Sequence, residues 1–172
     1  MHTQRDTLKP DKKLAAVCGL FCPACRIYIG QTESPERRQV IAELLDVPLE
    51  ELYCEGCRAG VRFPYCETCI MYACADQKSI DFCIECKEYP CVDLKAFQAA
   101  KPHRLELFQN LSRIREVGYE KWFAEMVQRY SCPQCGTINS AYHQACRKCG
   151  AIPSCPFVAD HAEEIQTYLR TR

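Results

Sequence analysis

From Ser34 to Val47 the chain reads SPERRQVIAELLDV, with apolar residues at Val40, Ile41, Leu44 and Leu45 set among charged ones. That spacing predicts a helix with one apolar face; Ser34 can cap it, Pro35 suits its first turn, and Pro48 ends it. Further along, Asp93 can cap a short helix over LKAFQAA. Pro102 opens another, with Leu105, Phe108, Leu111 and Ile114 at helical spacing and Gly118 as its C-cap. A third run places Trp122, Phe123, Met126, Val127 and Tyr130 on one face, and a last helix is expected from about Asp160 to Leu169. These stripes read as core packing. Residues 1–13 are polar and read as a loose arm. Residues 54–91 hold eight cysteines and few apolar runs, so loops wound around metal are expected there.

Composition sharpens this picture. Of 172 residues, 16 are cysteine. Without them the apolar fraction of 48% falls to roughly 39%, a lean core that needs covalent or metal staples. Disulfides require an oxidising compartment. The first twenty residues carry no apolar h-region, so no signal peptide is read, and no stretch approaches the length of a membrane span. The expected location is the cytoplasm, where CxxC pairs bind metal more often than they form disulfides. The formal net charge is zero with cysteine counted as neutral. Each metal held by four thiolates adds net negative charge, about −8 if all sixteen cysteines joined four such sites. That balance argues against general nucleic-acid binding. It also gives a role to the basic residues beside the thiols: Arg26, Arg58, Lys87, Arg147 and Lys148.

Six CxxC pairs are present: Cys22/Cys25, Cys54/Cys57, Cys66/Cys69, Cys83/Cys86, Cys132/Cys135 and Cys146/Cys149. One such turn aims two sulfurs at a point, and two turns complete a tetrahedron. The last two pairs, CPQCG and CRKCG, are separated by ten residues and each is followed by glycine, Gly136 and Gly150. Glycine there lets the backbone turn and point N–H groups at sulfur. This segment resembles a zinc ribbon. His143 lies between the two pairs and reads as a loop residue, because four cysteines already fill the shell. In the first half the repeated pattern C-x2-C-x2-Y-x-C, in CETCIMYAC and CIECKEYPC, pairs Cys66/Cys69 with Cys83/Cys86 and leaves Cys22/Cys25 to Cys54/Cys57. Tyr28, Tyr72 and Tyr89 stand at the same offset from their knuckles, either beside a metal or as core filling. Cys18, Cys74, Cys91 and Cys155 remain over. The matched positions of Cys74 and Cys91 imply one shared role, as further ligands or as small buried hydrophobes, and either role shields them.

The stretches CGLFCPACRIYI, CEGCR, CETCIMYACA and CIECKEYPC with LKAF resemble the domain of unknown function 3795 family, cysteine-rich proteins common in anaerobic bacteria and archaea. Some members carry a similar C-terminal ribbon after a helical stretch like RIREVGYEKWF. The resemblance covers roughly residues 15–150. It implies a metal-binding fold, with zinc as the expected metal, and no reaction.

Sharper chemistry finds little support. Cys18, Cys22 and Cys25 spell C-x3-C-x2-C, similar to radical SAM enzymes, but the chain is too short and strand-poor for their barrel, and Ala24 replaces the usual aromatic residue. An electron-transfer or structural Fe–S cluster fits thiolates better. His161 and Glu163 form an H-x-E without the PCxxC that follows it in zinc deaminases. HExxH, GxSxG and phosphate-loop motifs are absent. The expected protein is therefore a small metal-stabilised, helix-containing fold with little β: a cysteine-rich domain over 14–100, a helical connector over 101–130, and a zinc ribbon with a C-terminal helix over 131–172. It would hold three to four zinc ions and act without catalysis, as a structural module or for an unnamed protein partner. The alternative is an Fe–S or thiol-based redox protein.

Overall fold

The computed structural model describes residues 8–171. Residues 1–7 of the expected N-terminal arm, and with them the start of the leader reading, lie outside this range. Among the described residues the chain forms nine α-helices and no strand, and its only β-pairing is two isolated antiparallel bridges, Ala15 with Phe21 and Ser131 with Ile138. No helix of the described residues is long and apolar enough to cross a membrane.

The first helices are short. Helix α1 (Arg26–Gly30) follows the Cys22/Cys25 knuckle, and α2 (Pro35–Leu45) is capped by Ser34 Oγ accepting from the Arg37 N–H. The expected apolar face of α2 is only partly used. Ala42 is buried, with Ile41 and Leu45 packed beside it, whereas Val40 and Leu44 are each 62% exposed. The helix covers only a small satellite core made with Ile27, Leu52 and Cys54, too narrow to bury a full stripe. It ends through Asp46 in the left-handed conformation, before Pro48 is reached. Residues 54–91 are not all loop: α3 (Pro64–Glu67) and α4 (Ile70–Gln77) lie within them. Helix α5 (Val92–Ala99) starts one residue before Asp93, with Cys91 at its N-cap.

Helices α6 (Leu107–Val117) and α7 (Tyr119–Tyr130) meet at Gly118 and pack together. Arg113 on α6 grips Glu125 on α7 with two hydrogen bonds of 2.9 and 2.7 Å. Of the periodic residues expected there, Leu111, Ile114, Trp122, Phe123, Met126 and Tyr130 are buried at the centre of the molecule, whereas Leu105, Phe108 and Val127 are only half-buried; Pro102 opens a single 3-10 turn, and the α-helix begins at Leu107, itself fully buried. The C-terminal helix expected from about Asp160 to Leu169 is α9 (Ala162–Arg170), and a further short helix, α8 (Pro156–Asp160), precedes it across His161. His161 Nε2 lies 2.8 Å from Glu106 Oε1, and Arg129 bridges Glu106 and Asp160, so this histidine ties α8 and α9 to α6 and α7.

One buried cluster draws on residues Leu14–Phe21, Met71, Leu94, α6, α7, Phe157 and Ile165. Its joint is Phe21. This ring meets Trp122 and Phe123 edge-on, with centroids 6.2 and 5.0 Å away, and stacks on Tyr130 at 5.9 Å; Tyr130 in turn stacks on Phe157 at 5.0 Å. Such aromatic pairs add to simple burial. Loss of a buried phenylalanine costs about 3–5 kcal/mol. Phe21→Ala is therefore expected to lower the denaturant midpoint of the whole chain in one transition; a normal midpoint would show that the ring carries no such load.

A second buried feature is polar. Arg104, 4% exposed, lies over the Phe97 ring and donates to Phe97 O at 2.9 Å, Tyr65 Oη at 3.2 Å and His103 Nε2 at 3.2 Å. His103 Nδ1 meets the Tyr142 hydroxyl at 2.6 Å. Burial, then the charges of Arg104, Lys101 and Arg26, push the His103 imidazole down to about 3, so it stays neutral in the folded chain. An unfolded chain protonates this histidine below its ordinary value of 6.5, while the folded chain does not until about 3. Stability from this group is full above pH 6.5 and falls as pH drops, with a slope approaching about 1.4 kcal/mol per pH unit. Between pH 6.5 and 5 His103→Gln should lose less stability than the parent protein by urea unfolding. Equal losses would mean that His103 titrates normally.

Candidate metal centre

The C-terminal quartet is built from two matching turns. After the Ser131 bridge, Cys132 N–H donates to Thr137 O at 2.9 Å and Gly136 N–H to Cys132 O at 2.9 Å; in the second turn Cys146 N–H donates to Ala151 O at 2.8 Å and Gly150 N–H to Cys146 O at 2.9 Å. Gly136 and Gly150 adopt φ of 73° and 76°, a region that favours glycine, and this is why each turn ends in CG. The turns face each other. Cys132 Sγ lies 3.6 Å from Cys149 Sγ, and Cys135 Sγ lies 3.6 Å from Cys146 Sγ. All four sulfurs fall within 4.8 Å of one another, and among the described residues this is the only group of three or more histidine, cysteine or acidic side chains that closes so far. A separation of 3.6 Å is far beyond a disulfide bond. It fits a tetrahedron of thiolates about 2.3 Å from one ion, whose edges would be about 3.8 Å.

A residue that sequence reading missed holds the two turns together. Asn139 is fully buried; its Nδ2 donates to Thr137 O at 2.9 Å, Ser154 O at 3.2 Å and Cys146 Sγ at 3.5 Å, while its Oδ1 accepts from the Arg147 N–H at 3.0 Å. A lone asparagine after a knuckle carries no signal of that role. Burial opposes charge on Cys146, but N–H groups of Cys149 and Lys148, with the Asn139 amide and Cys135, bring its thiol down to about 6. Cys135 is also lowered, first by the Thr137 hydroxyl and backbone. The Ala151 N–H favours the Cys149 thiolate, but desolvation and the thiols of Cys135, Cys132 and Cys146 raise it to about 12, so Cys146 and Cys135 are the sulfurs of the quartet ready to lose a proton, as a metal ligand must. His143 stays outside the shell: its Nδ1 accepts from the Ser140 N–H at 3.1 Å, and burial followed by the nearby arginines pushes it down to about 4. Arg147 serves the scaffold, reaching Ile138 O at 2.9 Å and Glu33 Oε1 at 2.5 Å.

The N-terminal knuckles are of another kind. Cys25 N–H donates to Cys22 O at 2.9 Å, Cys69 N–H to Cys66 O at 3.3 Å, and Cys86 N–H to Cys83 O at 3.1 Å, closing three tight turns without glycine. Cys25, Cys69 and Cys91 are the N-caps of α1, α4 and α5, and Cys155 that of α8. The sulfur of Cys25 accepts N–H groups of Tyr28 and Ile27, although burial keeps its thiol raised. Burial likewise raises Cys18, Cys22, Cys57, Cys66 and Cys83, and neighbouring thiols add to it. Cys86 is the exception: the Glu88 N–H, then Lys78 with its Nζ 3.2 Å from the sulfur, lower it. Lys78 was absent from the basic residues expected beside the thiols. Arg58, which was among them, spends its guanidinium on Ala15 O, 3.1 Å away, and on Asp81 O.

Of the four remaining cysteines, Cys18 and Cys155 are buried in the main core. Cys74 and Cys91 do not share one environment: Cys74 lies mid-way along α4 and is exposed, whereas Cys91 caps α5 and is half-buried. Equal offsets along the chain ended on unlike elements because α4 continues past Cys74 while the second copy breaks at Pro90. Tyr28, Tyr72 and Tyr89 all pack against the main core.

No curated protein and no solved structure matches this chain. The C-terminal quartet lies beyond the matched family segment, so its geometry stands on the residues themselves. Residues 14–96, which hold eleven of the cysteines, match the model of the family described as Protein of unknown function (DUF3795), and over this segment the chain resembles that family.

Proposed function

We propose that the protein is a cytosolic, non-catalytic zinc-binding module whose C-terminal quartet holds one structural zinc as a ribbon and whose N-terminal thiols hold further metal. The observation that carries this reading is the pair of 3.6 Å sulfur–sulfur contacts across two matching turns. Zinc suits such a shell because it imposes no geometry of its own and accepts four thiolates in structural sites. In the N-terminal part the proposed ligands are Cys22, Cys25, Cys54, Cys57, Cys66, Cys69, Cys83 and Cys86, giving three to four ions in all. Cys18, Cys74, Cys91 and Cys155 stand as further donors. The ligand sets divide the chain at 14–100 and 131–172, with 101–130 between them, although the core is shared. A structural or protein-interaction role follows from ligands that close a shell and leave no coordination position for substrate. The metal-thiolate charge disfavours general nucleic-acid binding.

A second reading is kept for the N-terminal half alone. Its thiols gather without closing to the spacing of the quartet, and thiolates of that kind also hold Fe–S clusters. The test is metal analysis of full-length protein purified without oxygen. Colourless protein with three to four zinc, falling by one in Cys132→Ser, is the expected result. Asn139→Ala should speed zinc loss to a chelator, since it removes the amide from Cys146 and the clasp between turns. Zinc content unchanged by Cys132→Ser would refute the ribbon; brown protein with iron and sulfide would replace zinc by clusters in the N-terminal half.

A further inference from the structure

The C-terminal quartet reaches beyond its own two turns. Arg147 lies between Cys146 and Cys149, and the quartet's own scaffold holds it twice: its N–H donates to Asn139 Oδ1 at 3.0 Å and its Nε to Ile138 O at 2.9 Å. The far end of the guanidinium leaves that scaffold. Its Nη1 donates to Glu33 Oε1 at 2.5 Å, 114 residues earlier in the chain. Glu33 stands in the turn that joins α1 to α2, with its N–H donating to Gly30 O at 3.1 Å, and its second oxygen lies 3.4 Å from Arg37 Nε on α2. The Glu33 side chain is 12% exposed and that of Arg147 24%, so water screens this pair less than an ordinary surface pair. A second contact reaches the other end of α1. Tyr142, in the loop between the two cysteine turns, meets His103 Nδ1 at 2.6 Å, and the guanidinium of Arg26, the first residue of α1, lies 5.0 Å from the Tyr142 ring centroid. Asn139, Ser140 and Ala141 fix that loop by being fully buried.

Helix α2 is otherwise lightly anchored. Its buried residue, Ala42, belongs to the satellite core with Ile27, Leu52 and Cys54, separate from the main cluster, while Val40 and Leu44 face solvent. A helix of eleven residues does not hold itself in water. Its place depends on that small core and on the tie through Glu33.

Resting on the reading that the quartet holds zinc, we propose that the ribbon is a metal-dependent latch on α2: zinc holds the two cysteine turns face to face, the closed turn aims Arg147 at Glu33, and loss of zinc releases α2 while α6 and α7 stay packed. Four thiols without an ion have no attraction that keeps the turns together, and a thiolate site of this kind forms as its metal binds. Helices α6 and α7 escape this dependence because they pack on each other and on Phe21. The ion binds the closed ribbon, so it shifts α2 toward the docked state.

Amide hydrogen exchange on the full-length, zinc-loaded protein reads each element separately. In Cys132→Ser, exchange of α2 should rise about tenfold, the factor that corresponds to about 1.4 kcal/mol, with α6 and α7 unchanged and one zinc lost. Glu33→Ala leaves the four thiols in place and should give the same rise in α2 with its zinc retained. The double variant should exchange no faster in α2 than either single one, because both changes break one link. Loss of one zinc in Cys132→Ser with α2 unchanged, an unchanged α2 in Glu33→Ala, or effects that multiply in the double variant would each overturn the latch and leave the ribbon reading standing. Faster exchange of α6 and α7 in Cys132→Ser would overturn it as well, since the ribbon would then support the whole core. A zinc content that Cys132→Ser does not alter would remove the ribbon reading and the latch with it.

Discussion

The burial of Leu14–Phe21 is the constraint on which the rest of the structure depends. Leu14, Ala15, Ala16, Val17, Cys18 and Phe21 are all buried, although the segment forms neither a helix longer than one turn nor a strand. Its peptide groups therefore need partners from elsewhere. They find several of them in distant segments: Ala15 O in Arg58, Val17 O in Cys83, and Gly19 O in the Asn110 amide, 3.0 Å away on α6. Phe21 then enters the aromatic face of α7. A single buried segment thus ties the N-terminal knuckles to the helical pair.

Thiol placement follows from two kinds of backbone turn. The C-terminal turns end in glycine and close around two facing sulfur pairs, a geometry set almost wholly by local hydrogen bonds. Three of the N-terminal turns close without glycine, the Cys54/Cys57 turn carries Gly56 between its cysteines, and several of these cysteines stand at helix N-caps. There the unpaired N–H groups of the first turn face sulfur and favour the thiolate. Burial works the other way and raises most of these thiols. A bound cation would resolve that opposition by drawing the proton off and neutralising charge in place.

Much of this was legible from sequence where the cause is local. The helices over 107–117 and 119–130, most of their buried residues, the Ser34 cap and the C-terminal quartet follow from periodicity, capping chemistry and glycine placement, all of which act within a few residues; that Leu107 rather than Leu105 and Phe108 would be fully buried does not. Sequence also showed that cysteines come in CxxC pairs, because that turn is a local object. It could not show that α2 would leave Val40 and Leu44 in solvent, since exposure depends on how much core lies opposite. Nor could it show that Cys74 and Cys91, alike in motif, would fall on different elements. The role of Asn139 and the reach of Arg147 to Glu33 are contacts between distant segments, and no pattern along the chain encodes them. The sequence by itself determined the paired cysteine turns and the helical framework; only the tertiary structure decided where each thiol lies, because that depends on contacts between distant segments such as Gly56 against Lys13.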